Sequence, residues 1–543
     1  MKNNTDSKFL LVSPRMPETY WSYKHVLRFI GKRALMPPLG LVTVAALLPK
    51  NISVRIVDMN VGPLRDADIA AADLVMISAM IVQKESMEDV IRRCRRLGVP
   101  VAAGGPYPSS CSDEIEGVDH FVLDEGEVTL PRFLADWQSG TPQAMYRSPE
   151  KPDLCTCPVP RFDLLDMSLY DTVPVQFSRG CPFDCEFCDI VHLFGRKPRT
   201  KPPERFLAEM DAAYATGFTG SMFIVDDNFI GNKRCVKELL RHIARWQDDH
   251  GFPFTLCTEA SIDLAHDDDL LQLMVKAGFS MVFVGIESPV AESLSSAGKH
   301  QNLREDVRIG IRKIQRAGIE VTGGFIIGFD SDPPDIFDRQ IEFIDELAIP
   351  TAMIGLLMAL PNTRLFDRLS REGRMLSTST GNNTSGAALN FVPKLPAETL
   401  IAGYRRVLQT VYEPRRYFAR CLKLLSIYPP RQHRTAHTMR RPIRVREVTA
   451  LLRSLAYQTF SRYGLSYLSY IIRGAAKRPD LVVRVVTMAV QAHHYMVVTR
   501  EAFPPDGARA RRRGARGNVR DWHEGRTADT LPEMLEPSIN RPG

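Results

Sequence analysis

The sequence lacks an apolar run long enough to cross a membrane, and it has no apolar region near its N-terminus. A membrane span needs about 18 uninterrupted apolar residues, and the longest candidate, residues 39–48, is much shorter. The chain begins with the polar stretch MKNNTDSK, so we expect no secretion signal. Ten cysteines among 543 residues do not form the dense pattern of a disulfide-stabilised secreted protein. We therefore expect a protein of the reducing cytoplasm.

The sequence also lacks a recognisable nucleic-acid-binding module, although its formal net charge is +7. The positive charge is concentrated in two stretches: Arg415 to Arg446 contains nine arginines, and Ala508 to Arg520 contains six. Such stretches are usually solvated surface or a basic tail. A contact with an anionic partner, such as lipid headgroups or an acidic protein, is the alternative. We expect no nucleic-acid partner.

One short stretch, QFSRGCPFDCEFCDI, carries three cysteines at the spacing CxxxCxxC: Cys181, Cys185 and Cys188. Three thiolates on one loop can hold three irons of a cubic four-iron cluster. No fourth ligand is within reach, because the next cysteine, Cys235, lies beyond a predicted strand. The fourth iron is then open to substrate. A zinc knuckle is the alternative, but it needs a second CxxC or an HxxxH pair, and His192 is the only nearby candidate.

The first 140 residues alternate between strand and helix patterns. Helices are predicted over 38–48 and 83–98, and strands over 8–13, 53–60, 73–80, 99–105 and 118–123. This alternation predicts a doubly wound parallel sheet, which binds its ligand at the carboxyl ends of the strands.

Five candidate ligand-binding residues stand at those carboxyl ends: Asp58, Asn60, Ser78, Gly104 and Gly105. Adjacent glycines there allow a large flat ligand to approach the backbone closely.

The middle of the chain predicts six further strand–helix units after a proline-rich linker over 141–172. The predicted strands are 173–178, 220–225, 253–258, 280–286, 319–327 and 351–358. Eight such units close a full barrel, so six predict an open partial barrel with its chemistry at the carboxyl ends of the strands. Polar residues or glycines follow those ends: Asp226, Asp227, Glu259, Glu287, Gly324, Gly328 and Asp330. A single carboxylate such as Asp227 or Asp330 could instead cap a helix.

The last third of the chain has a different character. Residues 376–386 form a polar linker, and residues 395–428 and 446–498 have helical patterns. The segment 482–498 could lie on a membrane as an amphipathic helix, or it could be a packed helix. The Pro-, Gly- and Arg-rich tail from residue 504 is expected to be disordered. The predicted domains are therefore 1–140, a linker over 141–172, a barrel over 173–375, a helical domain over 376–502 and a basic tail over 503–543.

The cysteine spacing, with Phe187 before the last cysteine, resembles the radical S-adenosylmethionine (SAM) superfamily, in which the open iron binds SAM. The strand ends of the first domain resemble those of cobalamin-binding domains. The chain departs from that pattern at Asn60, which stands where the cobalt-ligating histidine would be, and at Gly62, which is one position early. The acidic segment 124–127 resembles the one that closes this domain in relatives. The resemblance implies an α/β protein with a Rossmann-like cobalamin-binding domain, a partial (β/α)6 radical SAM barrel and an α-helical C-terminal domain.

Residues 18–41 and 412–430 resemble a cobalamin-dependent radical SAM subfamily, of the class B methylase type, that includes hopanoid C-2 methylases. This resemblance implies methyl transfer to an unactivated carbon, with a 4Fe-4S cluster, SAM and cobalamin as cofactors. It favours a lipid or other apolar substrate, with a tetrapyrrole or a secondary-metabolite scaffold still open, and a reductase, flavodoxin or ferredoxin is expected as electron donor. A peripheral membrane contact is the alternative that the segment 482–498 leaves open.

The resemblance also implies roles for single residues. Asp226 and Asp227 would contact the amino group of SAM, and Glu259 and Glu287 would lie near its ribose and methionine parts. Lys299 would pair with its carboxylate. Gly324 and Gly328 would pass the adenine, with Phe187 beside it.

Three alternatives to methyl transfer remain open. A cobalamin-binding radical enzyme could carry out cyclisation or ring contraction instead. A tRNA methylthiotransferase would need a second set of cysteines and a C-terminal β-barrel, and neither is evident. A binding module without catalysis would leave the carboxylate-ended strands unexplained.

Overall fold

Two six-stranded parallel sheets form the frame of the protein. The computed structural model describes residues 7–384, 389–430 and 445–503. The first sheet has the strand order β2-β1-β3-β4-β5-β6. Its strands are β1 (Lys8–Ser13), β2 (Ser53–Asp58), β3 (Leu74–Ser78), β4 (Val101–Gly104), β5 (His120–Val122) and β6 (Met145–Tyr146). The predicted α/β fold is confirmed; β6 was not predicted, because its two residues lie in the proline-rich stretch interpreted as linker.

Helices cover both faces of the first sheet, as a doubly wound sheet requires. The longest amphipathic one, Lys84–Leu97, buries Met87, Val90, Ile91 and Cys94 at helical spacing and ends at Gly98. The helices of this region are Lys24–Ile30, Leu39–Leu47, Asp66–Ala70, Lys84–Leu97, Pro106–Cys111 and Gly126–Ser139.

The second sheet is a partial barrel with the order β14-β13-β12-β11-β10-β7. Its strands are β7 (Thr172–Val175), β10 (Gly220–Ile224), β11 (Phe254–Glu259), β12 (Phe279–Glu287), β13 (Glu320–Ile327) and β14 (Ala352–Leu356). All five pairs are parallel, so every strand carries its carboxyl end to the same edge. A two-stranded antiparallel ribbon, β8 (Ser178–Arg179) with β9 (Arg199–Thr200), brackets the cysteine loop.

Helices connect the barrel strands and cover the outer face of the sheet. They are Ile190–Phe194, Pro203–Ala215, Lys233–Asp249, Asp268–Ala277, Ala291–Ser296, Val307–Arg316, Ile336–Glu346 and Arg364–Arg371. Each strand–helix unit agrees with the predicted series, with strand bounds shifted by at most three residues.

Five helices make up the described C-terminal region: Ala397–Val411, Pro414–Ile427, Val445–Gln458, Gly464–Lys477 and Val482–Ala502. The last one is long and apolar enough to cross a membrane by length and composition, but 56% of its most apolar window is buried. It buries Val485, Met488 and Tyr495 against the rest of the protein. The segment 482–498 is therefore a packed helix, which was one of the two interpretations of its sequence.

The predicted polar linker is partly integrated into the fold. Ser379 and Thr384 are buried, and the backbone carbonyl of Asn383 accepts a hydrogen bond from the Leu356 amide. Residues 385–388 of that linker, residues 431–444 and the predicted disordered tail from residue 504 lie outside the described residues.

Candidate active site

The cysteine loop is anchored at its start by the side chain of Asp226. This carboxylate follows β10 and is almost fully buried. It accepts hydrogen bonds from the Phe177 amide at 2.7 Å, the Ser178 amide at 2.8 Å and the Ser178 hydroxyl at 2.6 Å. Asp226 therefore fixes the backbone that leads into the loop. Its predicted contact with SAM stays a prediction.

The far side of the loop is anchored by an ion-pair network. Arg368 pairs with Glu186 of the loop at 3.0 Å and with Asp330 at 2.8 Å, and Arg374 pairs with Asp330 at 2.6 Å. Burial alone would raise the pKa of Asp330, but hydrogen bonds from the two arginines lower it to about 2. The suggestion that Asp330 caps a helix is therefore wrong, because its carboxylate forms ion pairs with Arg368 and Arg374.

The three loop thiols are partly exposed and free of disulfides. The Gln301 side-chain amide points at the Cys185 sulfur from 3.8 Å. Burial raises the pKa of Cys181 and Cys188, so their thiolates are favoured only when a metal binds them. Cys235 opens the helix Lys233–Asp249. Three thiols on one loop fit a four-iron cluster with one open iron, and the assignment of these cysteines as its ligands stays a prediction.

Beside the loop, the barrel edge collects three carboxylates around one lysine. Lys299 pairs with Glu287 at 2.7 Å. Burial, followed by the negative charges of Asp227 and Glu287, raises the pKa of Glu259 to about 8. Burial also raises the pKa of Asp227 to about 6. A buried carboxylate whose pKa is raised becomes more stable as an anion when a cation binds beside it. SAM carries two cationic groups, a sulfonium and an ammonium.

The backbone of Glu287 is strained: its φ of 64° lies in the left-handed region, which a non-glycine residue adopts at a cost of ~1–3 kcal/mol. Gly285 lies two residues earlier on the same face of β12. A Cβ there would come within 2.4 Å of a Glu287 carboxylate oxygen and 2.8 Å of the Lys299 nitrogen. The sequence places Gly285 at the end of this strand without a role, and the structure shows that its missing Cβ leaves room for the Glu287–Lys299 pair. The signal was available, because glycine before a strand-end carboxylate marks a close approach.

The other site glycines make room for neighbouring side chains. A Cβ on Gly324 would come within 2.7 Å of the Phe283 ring. Gly328 has a φ of 112°, and its Cβ would meet Leu400 at 3.3 Å. Phe187 packs against Phe329, with ring centroids 6.0 Å apart. The roles proposed for Gly324, Gly328 and Phe187 at the adenine stay predictions.

At the carboxyl edge of the first sheet, Asn60 is held by hydrogen bonds within the chain. Its carbonyl oxygen accepts from the Met16 amide at 2.8 Å, and its nitrogen donates to Asp58 at 2.7 Å and to the Pro14 carbonyl at 3.3 Å. Asp58 is buried and also accepts from the Tyr170 hydroxyl at 3.0 Å. Asn60 therefore ties the segment after β1 to the end of β2, and the binding of cobalamin without a histidine as lower ligand stays a prediction.

The two adjacent glycines at this edge are required by the backbone. A Cβ on Gly104 would lie 2.6 Å from the Val122 carbonyl oxygen. Gly105 has a φ of 89°, and its Cβ would lie 2.5 Å from the Ser78 hydroxyl. Both glycines are therefore required by the packing of the protein's own atoms, and the roles of Ser78, Gly104 and Gly105 in binding a large planar ligand stay predictions.

The two carboxyl edges are joined by an ion-pair network that the sequence did not reveal. Arg179, two residues before Cys181, pairs with Glu125 at 2.7 Å and with Glu127 at 2.6 Å. Arg199 of β9 pairs with Glu125 at 2.6 Å. The acidic segment 124–127 thus connects the first domain to the cysteine loop. Sequence alone could mark the segment as acidic but not identify its partners.

Comparison with known families supports this two-part site. The B12-binding domain family matches residues 33–134, and the radical SAM superfamily matches residues 175–344. A domain family of unknown function matches residues 363–504. These three matches follow the order of the first sheet, the partial barrel and the C-terminal helices.

Two curated relatives and one solved structure resemble the chain along most of its length. An uncharacterized methyltransferase of Synechocystis is 46% identical over 413 residues, covering 76% of this chain and 77% of the relative. The hopanoid C-2 methylase of Rhodopseudomonas palustris is 34% identical over 506 residues, covering 92% and 94%. The cobalamin-dependent SAM radical enzyme OxsB, solved with aqua-cobalamin bound, shares the fold with a TM-score of 0.58 at 16% identity, covering 92% of this chain and 81% of OxsB. The chain therefore belongs to the radical SAM methyltransferases that carry a B12-binding domain, and its cofactors are a 4Fe-4S cluster, SAM and cobalamin.

Proposed function

We propose that this enzyme methylates an unactivated carbon of a lipid of the hopanoid type. The observation that carries the proposal is the 34% identity to a hopanoid C-2 methylase over 94% of that protein, including the C-terminal helical region. When bound, the cofactors supply hydrogen abstraction and methyl donation, while the chain binds, orients and shields the reacting groups.

The interior of the barrel supports an apolar substrate. Phe283 lies two residues before Gly285 on β12, and its ring reaches Gly324 of β13, which pairs with Gly285. Trp21 from the N-terminal segment packs against Phe283 with ring centroids 5.2 Å apart and is still 41% exposed. Two aromatic rings thus follow the carboxylates along the barrel wall, and an aliphatic ring system packs well against such surfaces.

The chain's own residues have separable tasks in this reaction. Cys181, Cys185 and Cys188 hold the cluster at the mouth of the barrel. Glu259 and the Glu287–Lys299 pair line the mouth next to it and would orient SAM. Glu259 and Glu287 lie at the ends of β11 and β12, where the scaffold is rigid, so the groups they bind can be held in one geometry.

The test offers anaerobically reconstituted enzyme a hopanoid extract, SAM labelled in its methyl group, methylcobalamin and a chemical reductant. The expected result is a labelled lipid together with deoxyadenosine and S-adenosylhomocysteine. Deoxyadenosine without S-adenosylhomocysteine would instead indicate a cyclisation or another non-methylating reaction. Label in a tetrapyrrole, offered in parallel, and none in lipid would overturn the lipid proposal.

We also propose a flavodoxin or ferredoxin as the electron donor. A chain of net charge +7 attracts acidic single-electron carriers, and such attraction raises association rates at low salt. Replacing the chemical reductant with reduced flavodoxin should sustain deoxyadenosine formation, and the rate should fall as salt is added. A rate that does not depend on salt would contradict this pairing.

A further inference from the structure

A helical hairpin near the C-terminus is packed with its polar side inward. The hairpin consists of the helices Val445–Gln458 and Gly464–Lys477. Its inner face carries Ser454, Gln458, Tyr467 and Tyr470, all at most 1% exposed.

The polar groups of these inner side chains form hydrogen bonds with neighbouring helices. The Ser454 hydroxyl contacts the Tyr467 hydroxyl at 2.9 Å, which ties the two helices together. Gln458 donates to the Ala489 carbonyl at 3.1 Å, and Tyr470 donates to the Val485 carbonyl at 3.2 Å. The hairpin is thereby fixed on the packed helix Val482–Ala502, and the orientation of its outer face is well determined.

The outer face is apolar, the reverse of an ordinary surface helix. The exposed fractions are 62% for Leu452, 62% for Tyr457, 88% for Phe460, 88% for Leu465 and 67% for Ile472. Phe460 and Leu465 stand at the turn between the helices. Leu452 and Ile472 lie at similar distances from it, eight residues before Phe460 and seven after Leu465. Single exposed apolar residues are common, but five on one hairpin call for a partner.

The same hairpin is strongly basic. Residues 445–478 contain six lysines and arginines and one acidic residue, Glu447. Arg462 stands between Phe460 and Leu465, and Arg473 and Lys477 are exposed on the second helix. Apolar side chains with cations beside them match a membrane interface, where the apolar groups enter the acyl boundary and the cations meet anionic headgroups.

We propose that this face is a docking surface for an anionic lipid bilayer. We call it the hairpin surface: Leu452, Phe460, Leu465 and Ile472, with Arg462, Arg473 and Lys477. Tyr457 stands at its edge, where its ring packs against Phe29 and His493. A second copy of the chain fits less well, because a two-fold contact would bring this basic face against itself. The proposal concerns a surface outside the catalytic site, so it stands or falls independently of the substrate.

The test measures flotation of the full-length holoenzyme with vesicles of phosphatidylcholine alone or mixed with phosphatidylglycerol. Wild type should bind the mixed vesicles, and binding should weaken as salt rises. Burial of one large apolar side chain shifts an equilibrium by roughly tenfold or more, so the double variant Phe460→Ser/Leu465→Ser should bind about 100-fold more weakly. Arg462→Gln/Arg473→Gln should lose its preference for phosphatidylglycerol while retaining weak binding to both vesicles.

The matched control is Ile309→Ser, which removes a 55%-exposed isoleucine from a barrel helix and should leave vesicle binding unchanged. Iron content and deoxyadenosine formation should be unchanged in all variants, which shows that they fold. Equal flotation of wild type and Phe460→Ser/Leu465→Ser would overturn the proposal. The proposal would also be overturned if wild type did not bind vesicles but formed a dimer in analytical sedimentation, and if Phe460→Ser/Leu465→Ser abolished that dimer. Failure to methylate hopanoids would leave this result untouched.

Discussion

The ion pair between Glu127 and Arg179 offers a quantitative test of how the two domains are joined. Both side chains are nearly buried, at 8% and 11% exposure. Burial alone would raise the pKa of Glu127, but hydrogen bonds and the charge of Arg179 lower it from 4.5 to about 2. A shift of this size corresponds to about 3 kcal/mol of folding free energy, at 1.36 kcal/mol per pKa unit. Glu127→Gln should therefore lower the free energy of unfolding by about 3 kcal/mol at pH 7, a value typical of breaking one half of a buried pair.

The assay is urea unfolding of the purified protein, followed by circular dichroism and by intrinsic fluorescence. The control is Asp163→Asn, which breaks an exposed pair with Arg161. Surface pairs contribute about 0–1 kcal/mol, so this control should change little. Equal unfolding midpoints for Glu127→Gln and Asp163→Asn would refute the reasoning.

The same pair predicts how stability depends on pH. The pKa of Glu127 is lower in the folded state, so its contribution is fully present above pH 4.5 and is lost as pH falls towards about 2. The stability difference between wild type and Glu127→Gln should therefore shrink over that interval. A difference that stays constant down to pH 2 would show that Glu127 does not act through its charge.

Three further predictions concern the cofactor sites. Cys185→Ala should lose most bound iron and abolish deoxyadenosine formation, whereas Cys235→Ala should retain both; activity in Cys185→Ala would contradict the cluster assignment. The electron paramagnetic resonance spectrum of the cob(II)alamin form should show no nitrogen coupling from the protein, since the Asn60 side chain is engaged by Met16, Pro14 and Asp58. A coupled nitrogen would overturn that expectation. Gly105→Ala should reduce cobalamin binding at least tenfold, because its Cβ would collide with Ser78 and its φ of 89° disfavours alanine; unchanged cobalamin content would remove this loop from the binding site.

Much of the architecture could be predicted because it depends on local periodicity. The alternation of short apolar strands with amphipathic helices fixes a parallel sheet and a partial barrel, and the observed strands agree within a few residues. The predicted cluster loop is equally local, because its three cysteines lie within eight residues of sequence. Strand β6 was not predicted, because a strand of two residues is too short to show a periodic pattern.

The charges at the strand ends could be located but not assigned. Asp226 and Asp227 are neighbours in sequence, yet Asp226 is used inside the protein and Asp227 faces the site with a pKa of about 6. Which of two adjacent carboxylates turns inward depends on the backbone amides that surround them. Those amides belong to a different strand, so no local pattern reports them.

The sequence by itself determined the α/β fold class and the order of its parts, and it predicted the three cluster ligands and the strand ends for cofactor binding. Only the tertiary structure decided that Glu125 and Glu127 pair with Arg179, that Asn60 ties the segment after β1 to the end of β2, and that the hairpin surface is exposed. The physical reason is the range of the interactions. Helix and strand periodicity and ligand spacing act over a few residues, whereas ion pairs and burial depend on which distant segments the fold brings together.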